Sequence, residues 1–205
     1  MKLLKLAVIA LFTLGTVSNS SAQDENNPWA VSFGANIVDF IAPEATFTNY
    51  MEDLLGNPDW NILPSISRIS AEKYLQKGFS LQLAGSINKI ESIYDLDDSD
   101  FLYWSADAIV KYDLNNLVGK TGWFNPFVFV GGSYASLDSE GEGMAQAGLG
   151  FNTWFNENLG LNLQTGMKIG FADKMNDHYQ TSLGLVIKFG GKDTDGDSVY
   201  DKFDA

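Results

Sequence analysis

One amphipathic segment near the end of the chain constrains the fold more than any other feature. Residues 179–189 alternate between large apolar and polar or small side chains, which is typical of a β-strand. One face carries Leu183, Leu185 and Phe189, and the other carries Gln180 and Lys188. Apolar residues outside and polar residues inside invert the pattern of a soluble barrel. The segment therefore predicts the closing strand of a barrel that faces lipid.

Seven further segments repeat this alternation. The first strand, about ten residues from Trp29, is long enough to cross a membrane at a tilt. Phe127 to Val130 form an unbroken apolar run, so their facing stays unassigned. We therefore predict an all-β, eight-stranded, antiparallel transmembrane up-and-down β-barrel. The other predicted strands lie near 64–75, 79–88, 102–112, 126–134, 145–152 and 159–169.

The connections suggest which end of the barrel faces outward. Those after odd strands are longer or more acidic than two of the three after even strands, as in outer-membrane barrels. The predicted outer loops are 39–61, 91–100, 135–143 and 171–178, and the inner connections are 76–78, 113–124 and 156–158. Aromatic residues mark the strand ends at both membrane surfaces. Those at the periplasmic rim are Trp29, Tyr112, Trp123, Phe124 and Phe189, and those at the outer rim are Trp104, Phe171 and Tyr179.

A soluble barrel or sandwich is the alternative for eight alternating strands. The membrane interpretation is favoured because glycine, serine, asparagine and charged residues cluster opposite the large apolar ones. Residues 1–22 predict a secretory signal peptide, with Lys2 and Lys5 before an apolar run and Ser20 and Ala22 before the cleavage point. No later apolar run reaches the 18 residues of a spanning helix.

Charge and cysteine content exclude several function classes. The exported chain keeps 11 of the 13 basic residues against 26 acidic ones, about 15 net negative charges, which argues against nucleic-acid binding. The chain has no cysteine, which excludes a disulfide scaffold and thiol chemistry. We expect an exported, cleaved protein of the outer membrane, in contact with outer-membrane lipid.

Charged residues on the predicted inner faces must be paired, because a buried unpaired charge costs several kcal/mol. Eight strands enclose an interior about wide enough for side chains to fill. We predict a ladder of ion pairs that closes the lumen, with Arg68 near Asp107 and with Glu72 lower, near Lys111 and Lys188. A narrow ion-selective pore is the alternative use of these residues. The predicted set is Arg68, Glu72, Asp107, Lys111, Lys168 and Lys188.

Catalysis is not predicted. His178 is the single histidine of the chain, and it falls at the outer end of the closing strand. No serine lies one or two positions from it to serve as a nucleophile. We interpret His178 as a solvated loop histidine and expect that the protein is not an enzyme.

The closing strand resembles the C-terminal signal that the barrel-assembly machinery recognises in outer-membrane proteins. Its spacing is polar, any, glycine, any, any, apolar, any, aromatic. The machinery would pair with this strand as an open edge until the barrel closes. The residues in that pattern are Ser182, Gly184, Ile187 and Phe189.

The end of the chain carries acidic residues at alternate positions. They occupy positions 1, 3, 5, 9 and 12 of a loop, and Val199 at position 7 contributes its carbonyl oxygen; these six are the ligand positions of a Ca²⁺ site. Glycine stands at position 4 instead of 6, and the last ligand is the shorter aspartate. A solvated acidic linker is the alternative. The predicted ligands are Asp193, Asp195, Asp197, Val199, Asp201 and Asp204.

This tail resembles the opening of a thrombospondin type 3 repeat, and the barrel with its tail resembles the OmpA-family outer-membrane proteins of Bacteroidota. The resemblance implies a membrane anchor (23–190), a periplasmic calcium-binding spacer that begins at 191–205, and a peptidoglycan-binding domain. The sequence ends at Ala205, before any such domain. The predicted function is an envelope tether, with the barrel-assembly machinery and peptidoglycan as partners.

An accessory subunit of a larger outer-membrane assembly or secretion complex is the second hypothesis. Its lipid-facing wall would bind other outer-membrane proteins. The loop 39–61 is the other candidate contact, although its apolar residues suit packing on the barrel rim equally well. They are Tyr50, Met51, Leu54, Leu55 and Trp60.

Overall fold

The computed structural model describes most of the chain and is almost entirely β-structure. The described residues are 23–40, 60–93, 96–119, 122–172 and 174–191, with only the backbone given for 96–99. None of the helices in this part of the chain has the length and apolar character to cross a membrane.

Nine strands and one short helix make up the described fold. The strands are β1 (Trp29–Phe40), β2 (Asn61–Ile62), β3 (Arg68–Gln76), β4 (Phe79–Ile93), β5 (Leu96–Asp113), β6 (Phe124–Leu137), β7 (Glu140–Trp154), β8 (Leu159–Gly170) and β9 (His178–Phe189), and the helix is α1 (Asn115–Val118).

The strands close on themselves. Each long strand pairs antiparallel with the next along the chain, and β9 pairs with β1 from Trp29↔Phe189 to Phe40↔His178. The two-residue strand β2 is an addition to the outer end of β1. The predicted eight-stranded antiparallel up-and-down barrel is therefore confirmed.

The facing of the side chains follows the alternation in the sequence. On β9, Leu183 and Phe189 are 50% and 46% exposed on the outer surface, while Gln180 and Lys188 are 7% and 1% exposed in the lumen. The large apolar residues thus face outward and the polar ones inward, and this surface suits lipid, not water.

Aromatic side chains gather at both ends of the wall. Trp29 pairs with Phe189 at the end of the short turns, where Phe79 and Tyr112 also lie with their ring centroids 4.7 Å apart. Trp104 contacts Tyr134 nearer the other end. Trp104 and Tyr112 are eight residues apart on β5, roughly 27 Å along the strand, close to the height of an apolar membrane band.

The prediction of outer loops is wrong for two segments of the chain. Residues 91–100 and 135–143 are mostly strand, because β4 continues to Ile93 and β6 turns directly into β7 at Asp138 and Ser139. Both turn residues have positive φ, 45° and 78°. These acidic stretches lie at the outer end of long hairpins. Above the membrane a strand needs no apolar face, so the alternation that marks the lower strand is lost.

The predicted limits near β1 and β3 also need correction. β1 runs to Phe40, two residues into the predicted loop 39–61, and β3 begins at Arg68 instead of residue 64. Residues 41–59, with Tyr50, Met51, Leu54 and Leu55, lie outside the described residues. Trp60 is 41% exposed at the outer end.

The inner connections are short, as predicted, except for one. Lys77 and Gly78 form the β3–β4 turn with positive φ at both positions, 50° and 84°. The longer connection 113–124 contains α1, with Leu117 and Val118 exposed. The outer loop after β8 ends at Asp177, because His178 already belongs to β9.

Candidate functional site

The lumen is the candidate site, and a charged network crosses its upper half. Asp107 on β5 accepts hydrogen bonds from Arg68 Nη1 on β3 and from Lys168 Nζ on β8, both at 2.6 Å. Lys168 also donates to Ser105 Oγ at 3.0 Å. Arg68, Asp107 and Lys168 are 8%, 4% and 1% exposed. One buried carboxylate thus holds two cations from opposite parts of the wall.

His178 lies inside the barrel, so the solvated-histidine interpretation is wrong. Its side chain is fully buried, Nε2 is 2.9 Å from the hydroxyl of Tyr103, and Nδ1 is 3.2 Å from the carbonyl oxygen of Asn176. The physical reason is that β9 starts at His178, which gives this residue the inward facing of Gln180. Lys168 Nζ is 3.4 Å from the same Tyr103 hydroxyl, which joins His178 to the charged network.

A second ion pair lies nearer the inner end. Lys111 Nζ donates to Glu72 Oε2 at 2.8 Å, and Ser80 Oγ donates to Glu72 Oε1 at 2.6 Å. Lys111 Nζ also lies 4.1 Å from the centroid of the Phe127 ring. The structure therefore brings together Arg68 with Asp107 and Glu72 with Lys111, and it adds Lys168 to the first group.

Lys188 lies against an aromatic ring near the inner end. Its Nζ is 4.3 Å from the ring centroid of Trp154, and both side chains are buried at 1% and 0% exposure. Trp154 packs there with Ala30 and Val186. The sequence did not indicate this contact, because Trp154 lies at the end of β7, beyond the predicted strand.

Apolar side chains fill the space above and between the charged groups. Phe127 and Phe129 point inward with Ile109, which resolves the facing that the sequence left open. Their rings lie over lumen glycines: a Cβ on Gly148 would approach the Phe129 ring to 2.5 Å, and one on Gly150 would approach the Phe127 ring to 2.6 Å. The glycines thus supply the room that two inward rings need.

An apolar cluster occupies the outer end of the lumen. It includes Met175 from the β8–β9 connection, whose backbone N–H donates to Glu142 Oε1 at 2.7 Å. Glu142 also accepts hydrogen bonds from the backbone of Ala172 and Lys174. The members are Val38, Phe40, Ile90, Tyr103, Ala135, Met144 and Met175.

Exposed ion pairs mark where the wall leaves the membrane. Lys89 on β4 is 3.1 Å from Glu91 and 3.3 Å from Asp100, with all three side chains largely in solvent. The hydrogen bonds that Lys89 donates to these carboxylates raise its pKa above the ordinary value. Since Lys89 faces outward, the lipid boundary lies below it, near Ile87 and Trp104.

The outer wall has a shallow groove on one side. Its volume is about 830 Å³, and its floor consists of small outward-facing residues on neighbouring strands. Nothing lies within 4 Å of a Cβ built on Gly85, which shows how open this surface is. The small residues of the floor are Ala71, Gly85, Ala106, Ala108 and Gly132.

The residues of the assembly signal lie on β9 at the closing seam. Ser182 and Gly184 face the lumen, and Ile187 and Phe189 face outward. Gly184 is directly opposite Gly34 of β1. Recognition by an assembly machinery stays a prediction.

The predicted calcium ligands, residues 193–204, and the signal peptide, residues 1–22, lie outside the described residues. Within the described part of the chain, no group of three or more histidine, aspartate or glutamate side chains is placed to hold a metal ion. The calcium site therefore stays a prediction.

The fold is similar to solved outer-membrane barrels. Neisserial surface protein A is 16% identical with a TM-score of 0.57, over 78% of this chain and 97% of that structure. OprG from Pseudomonas aeruginosa is 12% identical with a TM-score of 0.55, over 85% of this chain and 100% of that one. Ail, the attachment invasion locus protein of Yersinia pestis, is 11% identical with a TM-score of 0.51, over 80% and 99%.

No model of a known protein family matches the sequence, and no curated protein matches it either. At 11–16% identity the likeness to the three solved barrels shows the fold alone.

Proposed function

We propose that this protein is an outer-membrane barrel that anchors a tether of the cell envelope. The observation that carries the proposal is the filled lumen, where two groups of paired charges alternate with three apolar clusters. Side chains that fill an eight-stranded barrel leave little continuous water. The barrel is then a membrane anchor and not a channel.

The position of the chain ends supports the tether. Trp29 and Phe189 pair at the end of the barrel that carries the short turns, which is the periplasmic end in outer-membrane barrels. The acidic tail 191–205 follows β9 in the sequence, and a periplasmic location for it is part of the proposal. A spacer at this position reaches toward peptidoglycan, as the resemblance to OmpA-family proteins implies.

Co-sedimentation with peptidoglycan tests the tether. Protein extracted from its own envelope in mild detergent should sediment with purified peptidoglycan, whereas a chain limited to residues 23–191 should stay in the supernatant. If the extracted protein stays in the supernatant too, the tether is wrong although the barrel anchor stands.

Calcium binding by the tail is part of the same proposal. Calorimetry on the full chain should show uptake at roughly millimolar Ca²⁺, the range of extracellular calcium modules. Replacing Asp193 and Asp195 by alanine should abolish it, while Asp138→Asn, which removes an acidic charge at the β6–β7 turn, should not. Equal uptake by all three proteins would exclude a tail site.

The groove in the outer wall favours a second candidate function, an accessory subunit of a larger outer-membrane assembly. Small residues let two membrane proteins approach closely. Ala108→Trp would fill the groove, and Leu163→Trp on the opposite wall is the matched control. A partner that co-purifies with the wild type and the control but not with Ala108→Trp would support the subunit role, and no stoichiometric partner in mild detergent would argue against it.

A further inference from the structure

In the described part of the chain, the backbone ladder of the barrel wall is interrupted at its outer end, between β2 and β4. The last pair of β3 and β4 is Arg68↔Ser86, followed by one bond from the Ile87 N–H to the Ser67 carbonyl oxygen. β4 continues to Ile93. Among the described residues the structure records no backbone hydrogen bond between β2 and β4. Within the described ranges, the outer part of β4 therefore has a main-chain ladder only toward β5.

The side chain of Asn61 takes the place of the missing ladder. Its Oδ1 accepts the backbone N–H groups of Glu91 at 2.7 Å and Ser92 at 2.9 Å. Its Nδ2 donates to the carbonyl oxygens of Ser92 at 2.9 Å and Val38 at 3.1 Å. One carboxamide thus offers β4 the acceptor and donor that a neighbouring peptide group would offer.

Two more asparagines complete this closure. Asn88 Nδ2 donates to the carbonyl oxygen of Asn61 at 2.6 Å. Asn36 Nδ2 donates to the carbonyl oxygens of Ser67 at 2.9 Å and Ile87 at 3.0 Å. All three asparagines are buried, at 3% exposure or less. Beyond the one backbone bond between Ile87 and Ser67, the described junction therefore depends on particular side chains.

The outer apolar cluster lies directly behind this junction. Val38 is the register partner of Asn61 on β1, and Ile90 precedes the two β4 residues that Asn61 contacts. Both are fully buried. Release of Asn61 would uncover them without disturbing the β1–β9 or β4–β5 ladders.

We propose that residues 61–66 are a detachable part of the wall, latched by Asn61, which opens the outer end of the lumen sideways while the rest of the barrel stays closed. The segment has two register pairs with β1, Ile37↔Ile62 and Val38↔Asn61, and it ends before Ser67, whose N–H donates to the Gly34 carbonyl oxygen at 2.9 Å. Segments with few ladder bonds open locally at a lower free energy than the whole fold. Below the opening, the charged network and the inner clusters still block passage, so the device exposes a pocket and not a channel.

Thiol labelling tests the opening, because the chain has no cysteine of its own. Ile90→Cys places a thiol in the outer cluster, and a membrane-impermeant thiol reagent reports its access from outside. We expect labelling of Ile90→Cys to become about tenfold or more faster when Asn61→Ala is added, because Asn61→Ala removes four local hydrogen bonds.

The matched control is Asn162→Ala, which removes a buried lumen asparagine that bonds to the side chain of Asn152. It should leave the labelling rate of Ile90→Cys unchanged. Amide exchange at Glu91 and Ser92 should also accelerate in Asn61→Ala, while exchange along β8 and β9 stays slow. An unchanged labelling rate in Asn61→Ala, or equal acceleration of exchange around the whole barrel, would overturn the latch.

Discussion

The two sides of β1 close the barrel in different ways. Toward β9, β1 has an uninterrupted register over its whole length, from Trp29 to Phe40. Toward the next strands, it pairs with β3 only from Trp29 to Gly34 and then with the two residues of β2. The first seam is a continuous backbone ladder, whereas the second is interrupted after Gly34 and continues only through the short β2, which the side chain of Asn61 joins to β4. Mutations should therefore act globally at one seam and locally at the other.

The largest effect is expected at the β1–β9 seam. A Cβ on Gly34 would lie closer than 3.0 Å to the backbone of Leu183 and Gly184, which cannot move without breaking the register. Gly34→Leu should destabilise the barrel by more than about 3 kcal/mol and leave little folded protein. The folded fraction in detergent, followed in urea, measures this. Gly85→Leu, with nothing within 4 Å of the new Cβ, is the control and should fold normally. A fully folded Gly34→Leu would contradict the tight seam.

The charged network should matter for the whole barrel, because it joins β3, β5 and β8 across the lumen. Asp107→Asn leaves Arg68 and Lys168 without their shared carboxylate. We expect a loss of about 3–5 kcal/mol in the free energy of unfolding, as for other broken buried pairs. Urea titration checks the value. A loss below 1 kcal/mol would mean that the two cations find other partners.

A smaller, local effect is expected at the second seam. Asn36→Ala removes the side-chain donor to the buried carbonyl oxygens of Ser67 and Ile87, of which the Ser67 oxygen keeps the bond from the Ile87 N–H. The cost should be about 1–3 kcal/mol. Amide exchange should rise near Ser67 but not along β9. Faster exchange on both sides of β1 would erase the difference between the seams.

The smallest effect is expected on the outer rim. Lys89→Met removes two ion pairs with largely exposed partners, Glu91 and Asp100. The urea midpoint of unfolding should shift only slightly, and still less at high salt, because exposed ion pairs are screened by solvent and salt. Urea titration at two salt concentrations measures this, and a large effect that salt does not reduce would show that Lys89 helps to hold the second seam.

The alternation in the sequence predicts the facing of residues well, because a strand has a strict two-residue period. It places Arg68, Asp107, Glu72 and Lys111 in the lumen, where the structure pairs them. Counting residues from the inner end of each strand gives the height of a side chain in the lumen, and this count is enough to predict the pairs between β3 and β5. Lys168 reaches Asp107 across the lumen from β8, a contact that depends on the tilt and stagger of the closed barrel.

Other parts of the structure leave no clear trace in the sequence. The run from Phe127 to Val130 has no polar member to mark its facing, and the decisive glycines belong to other strands. The sequence pattern starts the closing strand at Tyr179, one residue too late, and therefore places His178 in a loop. Asn61 has no recognisable pattern, since β2 is only two residues long and follows a long connection.

Conductance in planar bilayers tests the central claim, a lumen closed by its own side chains, most directly. The purified full chain should produce no stable openings at moderate voltage, and Asn61→Ala should produce none either, because the inner clusters remain in place. Asp107→Asn, where it folds, should be the first variant to leak. Large, stable openings in the wild-type protein would contradict the account and identify the barrel as a pore.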